Sequence, residues 1–234
     1  MNYSLKSSFF VLLFLFITNS FFAQLRADKL PGGLQVSSFS QNNSRLINIA
    51  SQNGLVLKDI YLFPSHYNTA IFTNSKDEKF TISSINFNIY SNNFDSRLSN
   101  DSIYVFDNSN IKSVEIGDKL FKKYFDDNTE ENKIYQVIYE GDSFSLLRMD
   151  KFVKSEIKNA LNPTEVKVHF SKISNYYSVN GEKQKMVKIK LNKKSILSLF
   201  DDKSKVIKDF VKKNKLSFSK EKDLSRILNY YESL

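Results

Sequence analysis

Apolar and polar residues alternate through the middle of this chain and change to a helical period near its end. In "ISSINFNIY" (residues 82–90) Ile85, Phe87 and Ile89 alternate with Ser84, Asn86 and Asn88. A period of two sends apolar side chains to one face of a strand and amides to the other, so one buried and one wet face are expected, as antiparallel sheets allow. Turn residues fall between such runs: Gly117-Asp118 in "IKSVEIGDKLFKKYF", Gly141-Asp142 in "IYQVIYEGDSFSLLRM" and Asn180-Gly181 in "YYSVNGEKQKMVKIK". Asn-Gly is a strong hairpin signal because both residues tolerate positive φ, and Glu182–Lys185 lengthen that loop. The three hairpins predict a meander, and "LNP" at 161–163 predicts a loop or subdomain hinge that interrupts it.

After Lys190 the period becomes helical. Asn192 is placed to cap a short helix carrying Ile196, Leu197 and Phe200, and Asp201 or Asp202 to cap a second that ends with Lys212, Lys213 and Asn214 as a left-handed stop. Ser219 is placed to cap a third helix running to the end of the chain. At ~100° per residue, Val206, Ile207, Phe210 and Val211 share one side of the second helix, and Lys205, Lys208 and Lys212 the other. The third helix gathers Leu224, Ile227, Leu228, Tyr231 and Leu234. Burying the four apolar residues of the second helix is worth ~6–10 kcal/mol, against ~1 kcal/mol for each lysine near an anionic lipid surface. The tail is therefore expected to dock as a helical cap with its lysines facing water.

The expected fold is α+β: an antiparallel, hairpin-built sheet or partly closed barrel, covered at one face or end by two or three C-terminal helices. Residues 1–23 read as a signal peptide, 24–58 as a loosely ordered lead-in with one short element around Arg45–Ala50, 59–191 as the β body and 192–234 as the helical cap. The signal rests on Lys6, the run "FFVLLFLFI" and the following "TNSFFAQ", with cleavage after Ala23. That run is shorter than the ~18 residues that span a bilayer, and Asn19 and Ser20 end it.

Composition narrows the chemistry. The 234 residues include no cysteine, so disulfides, a lipidated cysteine, catalytic thiols and thiolate metal sites are not expected. The formal net charge is +9, almost all of the base being lysine. Arginine, the favoured partner of phosphates and base edges, is confined to Arg26, Arg45, Arg97, Arg148 and Arg226, which argues against nucleic acid as a partner. Abundant Lys, Asn, Ile, Phe and Tyr beside few Ala, Gly and Pro also fit AT-rich codon usage, which accounts for part of the charge without a function.

No catalytic, cofactor or metal site is predicted. His66 and His169 are the only histidines and lie in no zinc or triad spacing. "FDDNTEEN" places Asp126, Asn128 and Glu130 at alternate positions of a calcium loop. Glu131 stands where glycine is required and Val137 where a bidentate acid is required, so a solvated hairpin loop is the expectation. Asp95 and Asp101 are the candidate carboxylates should the chain be a hydrolase of glycan or peptide.

"DSI" at 101–103 matches the short acceptor motif for serine O-glycosylation in exported proteins of Bacteroidetes, with Ser102 as acceptor. The ending "FFAQ" of the signal, the AT-rich composition and the block "LNKKSILSLFDDKSKVIKDFVKKNKLSFSKEKDLSRILNYYESL" together resemble a group of uncharacterised exported proteins of Bacteroidetes. They have a β-rich body and a lysine-rich helical end. The resemblance covers residues 192–234 most closely and implies a diderm envelope, with the periplasm as the first address and the cell surface or extracellular space as alternatives. It implies no activity. The functional expectation is a non-enzymatic envelope protein that binds or scaffolds an envelope protein or glycan. The first alternative is weak peripheral binding of anionic membrane or lipopolysaccharide through Lys205, Lys208 and Lys212, and the second is the carboxylate hydrolase.

Overall fold

The computed structural model describes residues 36–40, 60–97, 103–142, 144–158, 166–180, 185–200 and 203–234, with backbone alone at 36–40, 157, 158, 167 and 168. The strands are β1 (Val36–Ser40), β2 (Asn68–Asn74), β3 (Lys79–Asn88), β4 (Asn93–Arg97), β5 (Ile103–Phe106), β6 (Ile111–Ile116), β7 (Lys119–Asp126), β8 (Glu131–Glu140), β9 (Phe144–Lys158), β10 (Val166–Asn180) and β11 (Met186–Ile189). Three helices follow, α1 (Lys193–Leu197), α2 (Ser204–Lys213) and α3 (Glu221–Glu232). The fold is α+β, as the change of period predicts.

All eleven strands form one sheet in the order β1-β5-β4-β3-β2-β6-β7-β8-β9-β10-β11, with every pair antiparallel. β2 to β5 make one meander. A single 3-10 turn at Asn108–Asn110 then returns the chain to β6, which pairs with β2 and starts a second meander through β11. The turn chemistry holds at Gly117, whose φ of 60° closes β6 onto β7, and at Gly141, whose N–H donates to the Phe144 carbonyl at 3.1 Å. β1 lies inside the expected lead-in. Its "VSSFS" carries no alternation to reveal it, and its place comes from antiparallel pairing with β5.

The sheet curls. Phe94 on β4 meets Phe121 on β7 edge-on with centroids 5.6 Å apart, although three strands, β3, β2 and β6, stand between them in the sheet. Phe72 and Phe87 join them at 5.5 Å and 5.1 Å from Phe94, and Val114, Ile116 and Ile134 complete this buried cluster. Asn92 fastens the curl. Its φ of 55° turns β3 into β4, its amide donates to the Ile134 carbonyl at 2.9 Å and its carbonyl accepts from the Ile134 N–H at 2.8 Å. One side chain thus supplies both bonds of a missing strand neighbour.

The wet amide face expected on β3 is not there. Asn86 and Asn88 are 1% and 0% exposed, because residues 60–66 form a strap that pairs with the end of β3 through an antiparallel bridge between Tyr61 and Asn88 and then folds over Asn86. Leu62 N–H donates to Phe87 O at 2.9 Å and Ile89 N–H to Ile60 O at 2.7 Å. Asn86 accepts from Phe63 N–H at 3.1 Å and donates to Phe63 O and Ser65 O, both at 2.9 Å. Period two finds two faces but cannot tell a solvated amide from one satisfied by another segment.

A second core lies between β8–β9 and the helices: Phe144, Leu146, Ile196, Phe200, Ile207, Leu224, Ile227 and Leu228 are all buried. Each is worth ~1.5–3 kcal/mol on burial, which is why the lysine-dense tail folds onto the sheet. Phe210 and Tyr230 stack at 3.9 Å and 11° and join α2 to α3. Asn192 caps α1 as expected, accepting from Ser195 N–H at 2.9 Å.

Several cap and stripe assignments shift. Val206 and Leu234 are 45% and 48% exposed; Val206 sits at the edge of the α2 stripe and Leu234 lies beyond the end of α3. The left-handed residue after α2 is Lys215, with φ of 53°, and not Asn214. Lys220 occupies the N-cap of α3 without a side-chain bond; the first turn is held by Asp223, which accepts from Ser217 N–H at 3.0 Å, so Ser219 is not the cap. Asp201 and Asp202 lie outside the described residues, as do the signal segment and Arg45–Ala50.

The "LNP" segment, expected to be a loop or a subdomain hinge, lies outside the described residues, and the strands on either side of it belong to one long hairpin. β9 and β10 pair from Phe144–Asn180 out to Lys158–Val166.

Candidate functional site

The lysines singled out in the tail sit on α2. Lys205, Lys208 and Lys212 are exposed, and α2 buries Ile207 and Val211. Lys208 and Lys212 converge with Lys193 at the start of α1 and Lys215 in the α2–α3 turn on a groove of about 310 Å³, floored by Val211, Leu216 and Phe218 and flanked by Asp209. Lys205 is not among the lining residues. None of the four lining lysines forms an ion pair among the described residues. A rim of ammonium groups over an apolar floor suits a ligand with negative charge at one end and hydrocarbon at the other.

A polar network sets this groove on the sheet. Arg148 on β9 makes a bidentate pair with Asp150, Nε to Oδ1 at 2.9 Å and Nη2 to Oδ2 at 2.8 Å, and donates through Nη1 to Glu221 Oε1 of α3 at 3.1 Å. Tyr176 donates to the same Glu221 oxygen at 2.6 Å and Ser174 to Asp150 Oδ1 at 2.6 Å. The two carboxylates hold the Arg148 guanidinium above its ordinary pKa despite burial, which works the other way. Beside them, Gln136, Arg148 and Asp150 line a void of about 10 Å³, the scale of one water.

Asp95 is the carboxylate the structure places most firmly. It is 0% exposed, and its Oδ2 accepts from Tyr61 Oη and Asn88 Nδ2, each at 3.0 Å, while Oδ1 has no partner. Desolvation pushes its pKa up to about 6, although both hydrogen bonds favour the charged form. Desolvation, followed by the Asp95 charge, pushes the Tyr61 phenol well above its usual range. His66 meets the Tyr61 ring edge-on at 4.4 Å, and desolvation, with the Arg97 charge, lowers it to about 4. A carboxyl pushed up and an imidazole pushed down, each in contact with Tyr61, resemble the separated values of an acid–base pair. With no exposed surface, Asp95 works here as the pin that ties the 60–66 strap to β3 and β4.

Asp101 and Ser102 lie outside the described residues, so neither the two-acid cleft nor the glycosylation site has a geometry to report. His169 is exposed on β10. In the "FDDNTEEN" loop, Asp126 accepts from Asn128 N–H at 3.0 Å and from Lys133 Nζ at 3.3 Å, which is a hairpin turn closed by its own side chains. Among the described residues no group of three metal-ligating side chains occurs, and no helix is long and apolar enough to cross a membrane.

Sequence reasoning found Lys208 and Lys212 by their spacing on one helix and missed Lys193, Lys215, Leu216 and Phe218. These lie at element ends, where no period applies. Comparison with protein-family models, curated proteins and solved structures found no match to this chain.

Proposed function

We propose that this is a non-enzymatic binding protein of the bacterial envelope, exported by its N-terminal signal, that engages anionic surfaces of membrane or lipopolysaccharide type through the basic face of its helical cap. The observation that supports it is the convergence of Lys193, Lys208, Lys212 and Lys215 over Val211, Leu216 and Phe218. Four lysines at ~1 kcal/mol each give ~4 kcal/mol, a millimolar attraction by charge alone. Contact with the apolar floor adds to it. The composition and closing block, which resemble exported proteins of Bacteroidetes, support the envelope address.

The test is co-sedimentation of the protein lacking residues 1–23 with anionic and zwitterionic vesicles at low and high salt. A variant with Lys205, Lys208 and Lys212 changed to Gln is run beside it. Binding to anionic vesicles that is lost at high salt and in the variant supports the reading. Equal binding of wild type and variant, or none by either, overturns it.

A further inference from the structure

The β9–β10 hairpin outgrows its sheet. β8 accompanies β9 only as far as Gln136–Arg148, and β11 accompanies β10 only from Tyr176 to Val179. Beyond those points the two strands continue as a ribbon to Lys158 and Val166. One face of the ribbon is supported by Phe152 and Phe170, packed on Ile60 and Tyr61 of the strap. The other face exposes Lys151, Val153, Ser155, His169, Ser171 and Ile173. Val153 and Ile173, at 41% and 37% exposure, sit diagonally across the pair, since Ser171 is the partner of Val153.

From Val166 to Asn175, β10 has no second strand neighbour among the described residues. A two-stranded ribbon is marginal alone in water, and a long edge without a third strand is a template for one. Folded proteins blunt such edges with proline, bulges, shortness or charge. This edge has no Pro or Gly between 166 and 180 and no bulge in its pairing with β9. Charge is the device that remains. Across 151–158 and 166–174 the chain carries five lysines against one glutamate, Glu156, and Glu156 is paired with Lys154 at 2.9 Å. Like charge opposes the docking of a second copy along this edge and favours a strand of opposite charge.

We propose that the β10 edge of this arm docks an extended, acidic polypeptide segment of a partner protein as an added strand. Main-chain hydrogen bonds supply the register, Lys172 selects acidic side chains on the face it shares with its partner Phe152, and Ile173 takes the apolar residues on the opposite face, which suits a segment that alternates acid and hydrocarbon. The groove on the helical cap plays no part in this, so vesicle binding and strand docking succeed or fail separately.

The probe is a fluorescein-labelled peptide of about ten residues alternating Glu and Val, compared by anisotropy with one of equal charge in which Pro replaces Val. Saturable binding of the Glu/Val peptide, with the Pro peptide at least about tenfold weaker for want of N–H donors, is expected. The change Lys172→Glu is expected to weaken the Glu/Val peptide by about tenfold at an unchanged thermal midpoint. Equal binding of both peptides reduces the arm to a charged surface and overturns the proposal. So does no binding by the wild-type chain, or a dimer of the chain in sedimentation that excludes the peptide.

Discussion

Asp95→Asn gives the most direct access to the forces in the strap. Desolvation raises this carboxyl from 3.8 to about 6, close to two pKa units, and at 1.36 kcal/mol per unit its charge lowers stability by ~3 kcal/mol at neutral pH. The folded chain binds the proton more readily than the unfolded chain. The contribution is therefore fully present below about pH 4, fades as pH rises toward 6, and is absent above. Asparagine is neutral throughout, and its carbonyl can accept from both Tyr61 Oη and Asn88 Nδ2. Its NH₂ would replace Oδ1, which has no partner, at a pH-independent cost of ~1–3 kcal/mol. The informative quantity is the change with pH of the stability difference between variant and wild type, measured by urea unfolding at pH 4 and pH 7.5. The variant should gain on the wild type by ~2.5 kcal/mol between those values. A difference that is flat, or that turns against the variant as pH rises, would mean that the Asp95 charge is stabilised by a partner and would refute the desolvation argument.

His66→Gln should show the opposite slope. The folded chain holds His66 neutral down to about pH 4, so its contribution is present above the unfolded value near 6.5 and is lost as pH falls; partial exposure reduces the size, and the variant should resist acid better than wild type in the same unfolding series. Since Asp95 and His66 act in opposite directions between pH 4 and 6, the wild-type profile should be flatter there than that of either variant. Phe200→Ala, at a 0% exposed site between Phe144 and Tyr231, should lower stability by ~3–5 kcal/mol in denaturant unfolding. Glu221→Ala leaves Arg148 and Tyr176 without their shared acceptor and should loosen α3, seen as faster amide exchange there than in β2–β6. Changing Lys205, Lys208 and Lys212 to Gln should leave the thermal midpoint nearly unchanged, within ~0.5 kcal/mol, because all three are solvated.

The sequence by itself determined the class of element along most of the chain. The period of two with Gly117, Gly141 and Asn180-Gly181 set the β6–β7, β8–β9 and β10–β11 hairpins, and the change to a helical period after Lys190 set the cap, because both signals come from neighbours along the chain. It also determined that the tail's lysines face water, since one helix cannot bury both its sides. The Ser217–Asp223 tie and the left-handed Lys215 were less legible, because cap positions move by a residue or two at little cost. The tertiary structure decided everything that depends on distant segments. β6 returns to β2; the strap buries Asn86, Asn88 and Asp95; and Lys193 and Lys215 close a groove that Lys208 and Lys212 only begin. The length of the β9–β10 arm also belongs there, because "LNP" marks a reversal whether or not the flanking strands continue to pair. A periodic pattern records which side of an element avoids water, but only packing decides what covers it.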